Sequence, residues 1–106
     1  MSRNTPFSFA FVILPKFSGM SISELVEPLR IANDCDFGLG GSVWTQDSVR
    51  GERVARQLEC GCAFVNGLVK SDPRLPFGGV KHSGYGRELS RLGMHEFLNA
   101  KTVWIR

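Results

Sequence analysis

Three cysteines, Cys35, Cys60 and Cys62, are the most nucleophilic side chains of this 106-residue chain. A thiolate can attack a carbonyl carbon or bind a soft metal, but either task needs helpers. Cys60-Gly61-Cys62 is too tight for the usual zinc spacing, and only His82 and His95 could join it. The odd count argues for reduced thiols in a cytoplasmic protein, and no metal is expected. Gly38-Leu39-Gly40-Gly41 raises the question of a phosphate cradle. A dinucleotide fingerprint would need its third glycine, a preceding strand and an acidic residue about 20 positions on. The match fails, so no cofactor is expected for this chain. The densest constellation is Pro76-Phe77-Gly78-Gly79-Val80-Lys81-His82-Ser83-Gly84-Tyr85-Gly86-Arg87-Glu88. Gly78 and Gly79 would permit backbone conformations closed to other residues and present Phe77 at a sharp bend. Gly84 and Gly86 would turn the loop into a helix, with Arg87 and Glu88 holding it by charge.

The elements that must position this loop follow an α/β pattern. Phe7–Leu14 reads as a buried strand ended by Pro15. Ser21 and Glu24 form a capping-box pair, and Ile22, Leu25, Val26, Leu29 and Ala32 line one helical face. Pro28 should bend that helix, because it has no amide to donate. A Gly-rich passage, 37–41, leads to a short strand over Ser42–Thr45. Asp47 is the expected N-cap of a second helix reaching Leu58, with Val54, Ala55 and Leu58 on one side. Cys62–Val65 reads as a buried strand and 66–83 as a long functional loop. A third helix is expected over 86–99 and a terminal strand over 100–105. Strands alternating with helices predict parallel crossovers.

Bulk properties narrow the field. The length permits one domain at most, and composition is ordinary for a globular protein, 42% hydrophobic and 22% charged. The net charge is +3, with Lys and Arg scattered, so nucleic acid is not an expected partner. The apolar run Phe7–Leu14 is eight residues, far short of the roughly 20 that span a bilayer, and no membrane role is expected. Nor does it carry a convincing signal-peptide cleavage site.

The Pro76–Glu88 block, with Phe64-Val65-Asn66-Gly67 before it and Lys101-Thr102-Val103-Trp104-Ile105 after it, resembles the C-terminal region of the NAD(P)-dependent aldehyde dehydrogenases. The run from Asn66 to Pro76 resembles the bacterial succinate-semialdehyde type in particular. Residues 31–45 also match, although Cys35 stands where a small hydroxyl residue is commoner. The resemblance implies a truncated part of that family's α/β catalytic domain plus its terminal oligomerisation strand. It implies that Phe77 lines the aldehyde channel, that Ser71 lies near the substrate's distal carboxylate, and that Asn66 helps hold the loop. Lys70 and Arg74 fit a solvated loop face as readily as an acid-binding role. The family uses NAD or NADP, with a thiolate nucleophile and a general-base glutamate carried upstream of the matching region. None of the three cysteines here takes the nucleophile's place.

Residues 1–30 do not continue that pattern. The run Phe9 to Ser21 and the string Glu27-Pro28-Leu29-Arg30-Ile31-Ala32-Asn33 resemble the opening strand and helix of the amidotransferase-like sensor module of AraC-type transcription regulators. The expected organisation is therefore a chimera, 1–30 of regulator type and 31–106 of dehydrogenase type. A free sensor domain is excluded, because only its first strand and helix are present. Two functions follow from the resemblance. One is an aldehyde dehydrogenase family fragment, inactive alone, whose family reaction is NAD(P)-dependent oxidation of an aldehyde such as succinate semialdehyde. The other is a small interaction module, self-associating or pairing with a full-length dehydrogenase through Lys101–Ile105.

Overall fold

A computed structural model describes residues 9–13 and 22–106. Strand β1 is Phe9–Ile13, followed by a short 3-10 turn, Ile22–Leu25, and helix α1, Val26–Asn33. Strands β2, Phe37–Gly38, and β3, Gly40–Trp44, lead to helix α2, Ser48–Ala55. Then come β4, Cys62–Val65, β5, Val80–Lys81, and α3, Ser90–His95. A three-stranded sheet has the order β1-β3-β4, and β2 pairs with β5 in a separate ribbon. Both pairings of the larger sheet are parallel, running Phe9↔Gly40 to Ile13↔Trp44 and Gly40↔Cys62 to Val43↔Val65. Parallel neighbours require a crossover, and α1 and α2 supply one each. The mixed helix/strand architecture is the α/β class the sequence predicts.

Alternation along β3 divides the chain into two layers. Val43 is wholly buried and forms one core with Leu25, Leu29, Val54, Ala55 and Leu58. Contributions from both helices to one cluster place α1 and α2 on the same face. Ser42 points the other way and is equally buried, its Oγ without a partner among the described residues. Gly40 shares that face, where the side chain of Val69 from the long loop fills the space a Cβ would take. Helices cover one side of the sheet and the loop covers the other.

Local signals explain most boundaries. Asp47 caps α2, its side chain accepting from the Arg50 amide at 3.0 Å. The helix ends at Ala55 rather than Leu58, because the chain tightens there: Gln57 donates to Val54 O and Leu58 to Ala55 O. The first helix is split. Pro28 cannot donate, so it lies in the first turn of α1 after a 3-10 entry, where a missing amide matters least. Ser21 of the expected capping box lies outside the described residues, as do Phe7, Ser8, Leu14 and Pro15 at the ends of the first strand. Helix α1 runs unbroken across residues 30 and 31, with Leu29 buried and Ala32 packed against the core.

Four expectations are corrected. The strand over Ser42–Thr45 starts earlier, at Gly40, because Gly40 and Gly41 are paired on both sides. Strand β4 is not buried: Ala63 is exposed and its neighbours half-buried, since β4 is the edge of the sheet. The third helix covers Ser90–His95 instead of 86–99. Leu89 and Ser90 adopt φ of 63° and 53°, and Glu88 is held extended by a bridge to Phe77, so no helical turn can form before Ser90. Residues 100–105 pair with no strand among the described residues. They lie exposed, Val103, Trp104 and Ile105 being 72%, 83% and 88% accessible.

The Asp47 cap makes a measurable contribution. Asp47→Ala should lower the stability of the chain by about 1 kcal/mol, read from the urea midpoint at constant slope. An unchanged midpoint would mean that α2 is held by packing alone.

Candidate functional site

The long loop is built by closing its two ends on each other. Phe77 N donates to Glu88 O at 2.9 Å and Glu88 N to Phe77 O at 2.8 Å, an isolated antiparallel bridge. Arg87 fastens the interior of this lobe, its Nη1 donating to Gly79 O at 2.7 Å and Gly86 O at 2.8 Å. Gly78 and Gly79 are required for space rather than for unusual dihedrals, which corrects the sequence expectation. A Cβ on Gly78 would strike Gly86 O, and one on Gly79 would strike Ser83. Among the described glycines only Gly84 takes a left-handed φ, 111°.

The lobe is pinned to the α/β core by the β2–β5 ribbon, Phe37↔Lys81 and Gly38↔Val80. Lys81 Nζ donates to Asn33 O at 2.7 Å and Cys35 O at 3.1 Å, and pairs with Glu59 at 2.8 Å. Ser83 Oγ accepts from Gly38 N at 3.0 Å. Asn33 brackets the α2–β4 connection, donating to Gln57 O and accepting from Glu59 N. A long-range clamp of this kind carries no local sequence signature, and neither Lys81 nor Asn33 stood out in the sequence for it.

The three expected site residues fall in different places. Phe77 is half-buried and faces an open cavity of about 1060 Å³, bordered also by Leu39, Leu89, Met94 and Phe97. Asn66 sits at the mouth of the loop with φ of 54°. Its amide donates to Val43 O and its Oδ1 accepts from Thr45 N at 2.9 Å, tying the loop's first residue to the end of β3. Ser71 is exposed and borders neither the cavity nor Asn66's hydrogen bonds. The three are not brought together as one cluster.

Near Ser71, Arg74 is committed to its own turn. It grips Asp72 through Nη2 at 2.7 Å and Nε at 2.9 Å while its amide donates to the same carboxylate. Those hydrogen bonds lower the Asp72 carboxyl from the usual 3.8 to about 2. Lys70 is exposed.

The described residues around Gly38 and Gly40 do not fit a nicotinamide dinucleotide. Gly38 and Gly40 belong to strands, not to a strand-to-helix turn, and the space beside them is occupied by Glu59 O, Val80 and Val69. No backbone there is open to a pyrophosphate. No group of three His, Cys, Asp or Glu side chains among the described residues could hold a metal ion. Among those residues no helix is long and apolar enough to cross a membrane.

The aldehyde dehydrogenase family model matches residues 15–103. The chain belongs to the aldehyde dehydrogenase family. It is 52% identical over 91 residues to a probable succinate-semialdehyde dehydrogenase [NADP(+)] of Synechocystis, covering 86% of this chain and 20% of that protein. It is 53% identical over 76 residues to a succinate semialdehyde dehydrogenase [NAD(P)+] of Escherichia coli, covering 72% and 16%. The succinic semialdehyde dehydrogenase of Streptococcus pyogenes, solved with NADP+, superposes with a TM-score of 0.71 at 46% identity, over 74% of this chain and 17% of that one. The chain thus spans about a fifth of the length of the relatives it matches. The family match begins at residue 15 and overlaps residues 15–30 of the segment that resembles a regulator module.

The Asp72–Arg74 turn has a defined pH window. A depressed folded-state value means the turn contributes fully above pH 3.8 and is lost as pH falls through about 2. An NMR titration of the Asp72 carboxyl carbon should find its midpoint near 2, and Arg74→Ala should return it toward 3.8. A midpoint near 3.8 in the parent chain would show that the pair is broken in solution.

Proposed function

We propose that this chain supplies the substrate-loop end of a succinate-semialdehyde dehydrogenase, a wall of the aldehyde channel rather than the reacting centre. The observation that carries this is the Phe77–Glu88 bridge, which holds Phe77 toward an open apolar cavity. On this reading Phe77 meets the aldehyde's carbon chain. Asn66 holds the entrance of the loop, and Ser71 faces the distal carboxylate once the remaining walls are in place. The similarity to relatives named for succinate semialdehyde and NADP supports the choice of substrate and cofactor class.

Residues 1–106 alone are proposed to be inactive. Hydride transfer to a nicotinamide requires a thiolate, a base and a held dinucleotide. The three cysteines face structural hydrogen bonds, and Gly38 and Gly40 are closed by packing. Three free thiols suit the cytoplasm. The regulator-like string Glu27 to Asn33 supports a replaced N-terminal segment as part of the same proposal.

Purified chain should show no NADP- or NAD-dependent oxidation of succinate semialdehyde above a matched blank. Turnover that survives replacement of Cys35, Cys60 and Cys62 by Ser would overturn the proposal. Turnover lost with one of them would place the nucleophile at that residue.

The exposed terminal segment is the proposed contact with a second chain. Lys101, Val103 and Ile105 alternate with Thr102, Trp104 and Arg106, a pattern ready for backbone pairing. The parent chain is expected to sediment as an oligomer, and Val103→Pro as a monomer with unchanged far-UV circular dichroism. If both sediment alike as oligomers, association runs through the open cavity instead.

A further inference from the structure

The Cys60-Gly61-Cys62 segment is packed directly beneath the turn that carries Phe77. Cys60 Sγ donates to Cys62 O at 3.2 Å, so the first sulfur is folded back over the second residue. Cys62 Sγ in turn donates to Gly78 O at 3.7 Å. Gly61 makes the contact closer still: a Cβ there would overlap Gly78 O and crowd Gly79. Both thiols are half-buried and free, and a single glycine separates them. Lys81, paired with Glu59, sets a positive charge near Cys60. Cys35 lies apart from this pair, its Sγ accepting from the Phe37 amide.

We propose that Cys60 and Cys62 form a reversible thiol–disulfide site, oxidised by a small disulfide such as glutathione disulfide, and that oxidation frees Gly78 from its thiol anchor. Burial raises the Cys60 thiol above its ordinary range, so the first exchange falls to Cys62. The Cys62 thiol gives its proton to solvent and its thiolate attacks one glutathione sulfur. The glutathione S–S bond breaks, and the departing thiolate takes up a proton. Cys60 then loses its proton and attacks Cys62 Sγ, expelling the second glutathione as thiol. Two thiols are oxidised to one disulfide and one glutathione disulfide is reduced to two thiols. The ring closed across a single glycine is small and strained, which keeps it easily reduced. Once closed, Cys62 has no proton to offer Gly78 O, and Cys60 none for Cys62 O. The thiol step stands apart from the dehydrogenase reading, whereas its bearing on a substrate wall rests on that reading.

The test uses the whole chain equilibrated with glutathione disulfide and glutathione at graded ratios, quenched with maleimide and cut with trypsin. Cleavage after Arg56 and Lys70 isolates residues 57–70 with both cysteines, while Cys35 leaves in 31–50. The expected result is a 57–70 peptide lacking two hydrogens, at roughly fivefold higher yield from the folded chain than from the chain in concentrated urea. Cys35→Ser should leave that yield unchanged, and Cys60→Ser should leave only a glutathione adduct on Cys62. Hydrogen exchange at the Phe77 and Glu88 amides, whose mutual hydrogen bonds close the lobe beside Gly78, should quicken in the oxidised chain. Equal yields in buffer and urea, or glutathione on both cysteines without closure, would overturn the site. Closure with unchanged exchange at Phe77 and Glu88 would overturn its coupling to the loop. Neither outcome touches the turnover result, so the two proposals fail separately.

Discussion

A parallel strand with both faces buried must be covered twice, and β3 is where this chain meets that demand. Gly40, Gly41, Ser42 and Val43 are all buried, with β1 on one edge and β4 on the other. The helical layer protects the Val43 side and the long loop protects the Gly40 side. The loop is therefore not an appendage of the core. Removing Val69 from Gly40 would open the sheet, and loosening the sheet would release the loop. Apolar surface stays open around the loop and tail, where Leu68, Leu75, Phe97, Val103, Trp104 and Ile105 are all exposed.

The second layer of dependence is polar. Lys81 brings one ammonium to two carbonyls and a carboxylate, at the point where α1 ends and β4 is about to begin. Asn33 secures the same junction from the helix side. Together they convert three separate chain reversals into one joint, and Phe77 inherits its position from that joint. Such charge-assisted contacts to backbone oxygens act through geometry more than through net energy, since much of Glu59 remains in water.

What could be read from the sequence was what depends on neighbours in the chain. Asp47 announces its helix because a carboxylate and an amide three residues on suffice to make the cap. Leu25, Leu29, Val54 and Leu58 announce their faces through periodicity, and Cys62–Val65 its extended run. The Phe64–Glu88 motif announced the family because many residue types recur there in order. What escaped depends on distant partners. The pairing of Phe37 with Lys81 joins segments far apart, and β5 is two residues long, too short for any pattern. The third helix looked longer because nothing local reveals that Glu88 is already engaged by Phe77. The terminal residues have a strand's alternation but, among the described residues, not a strand's neighbour. Phe77, Ser71 and Asn66 were named from the motif, and within this chain the fold separates them.

Leu89 and Ser90 carry one more implication. Two consecutive side-chain-bearing residues in the left-handed region cost about 1–3 kcal/mol each, a load that only surrounding contacts can sustain. Here those contacts include Ser90 N to Pro73 O at 3.0 Å, Gly93 N to Leu89 O at 2.8 Å, Leu92 N to Ser90 Oγ at 3.3 Å, and Gly93 packed on Glu88. Among the described residues, Ser90 N to Pro73 O is the hydrogen bond that ties this strained junction between the Phe77 lobe and α3 back to the loop. Loss of that hydrogen bond would let both residues relax toward ordinary dihedrals, so the angle at which α3 leaves the Phe77 lobe depends on a contact made at Pro73.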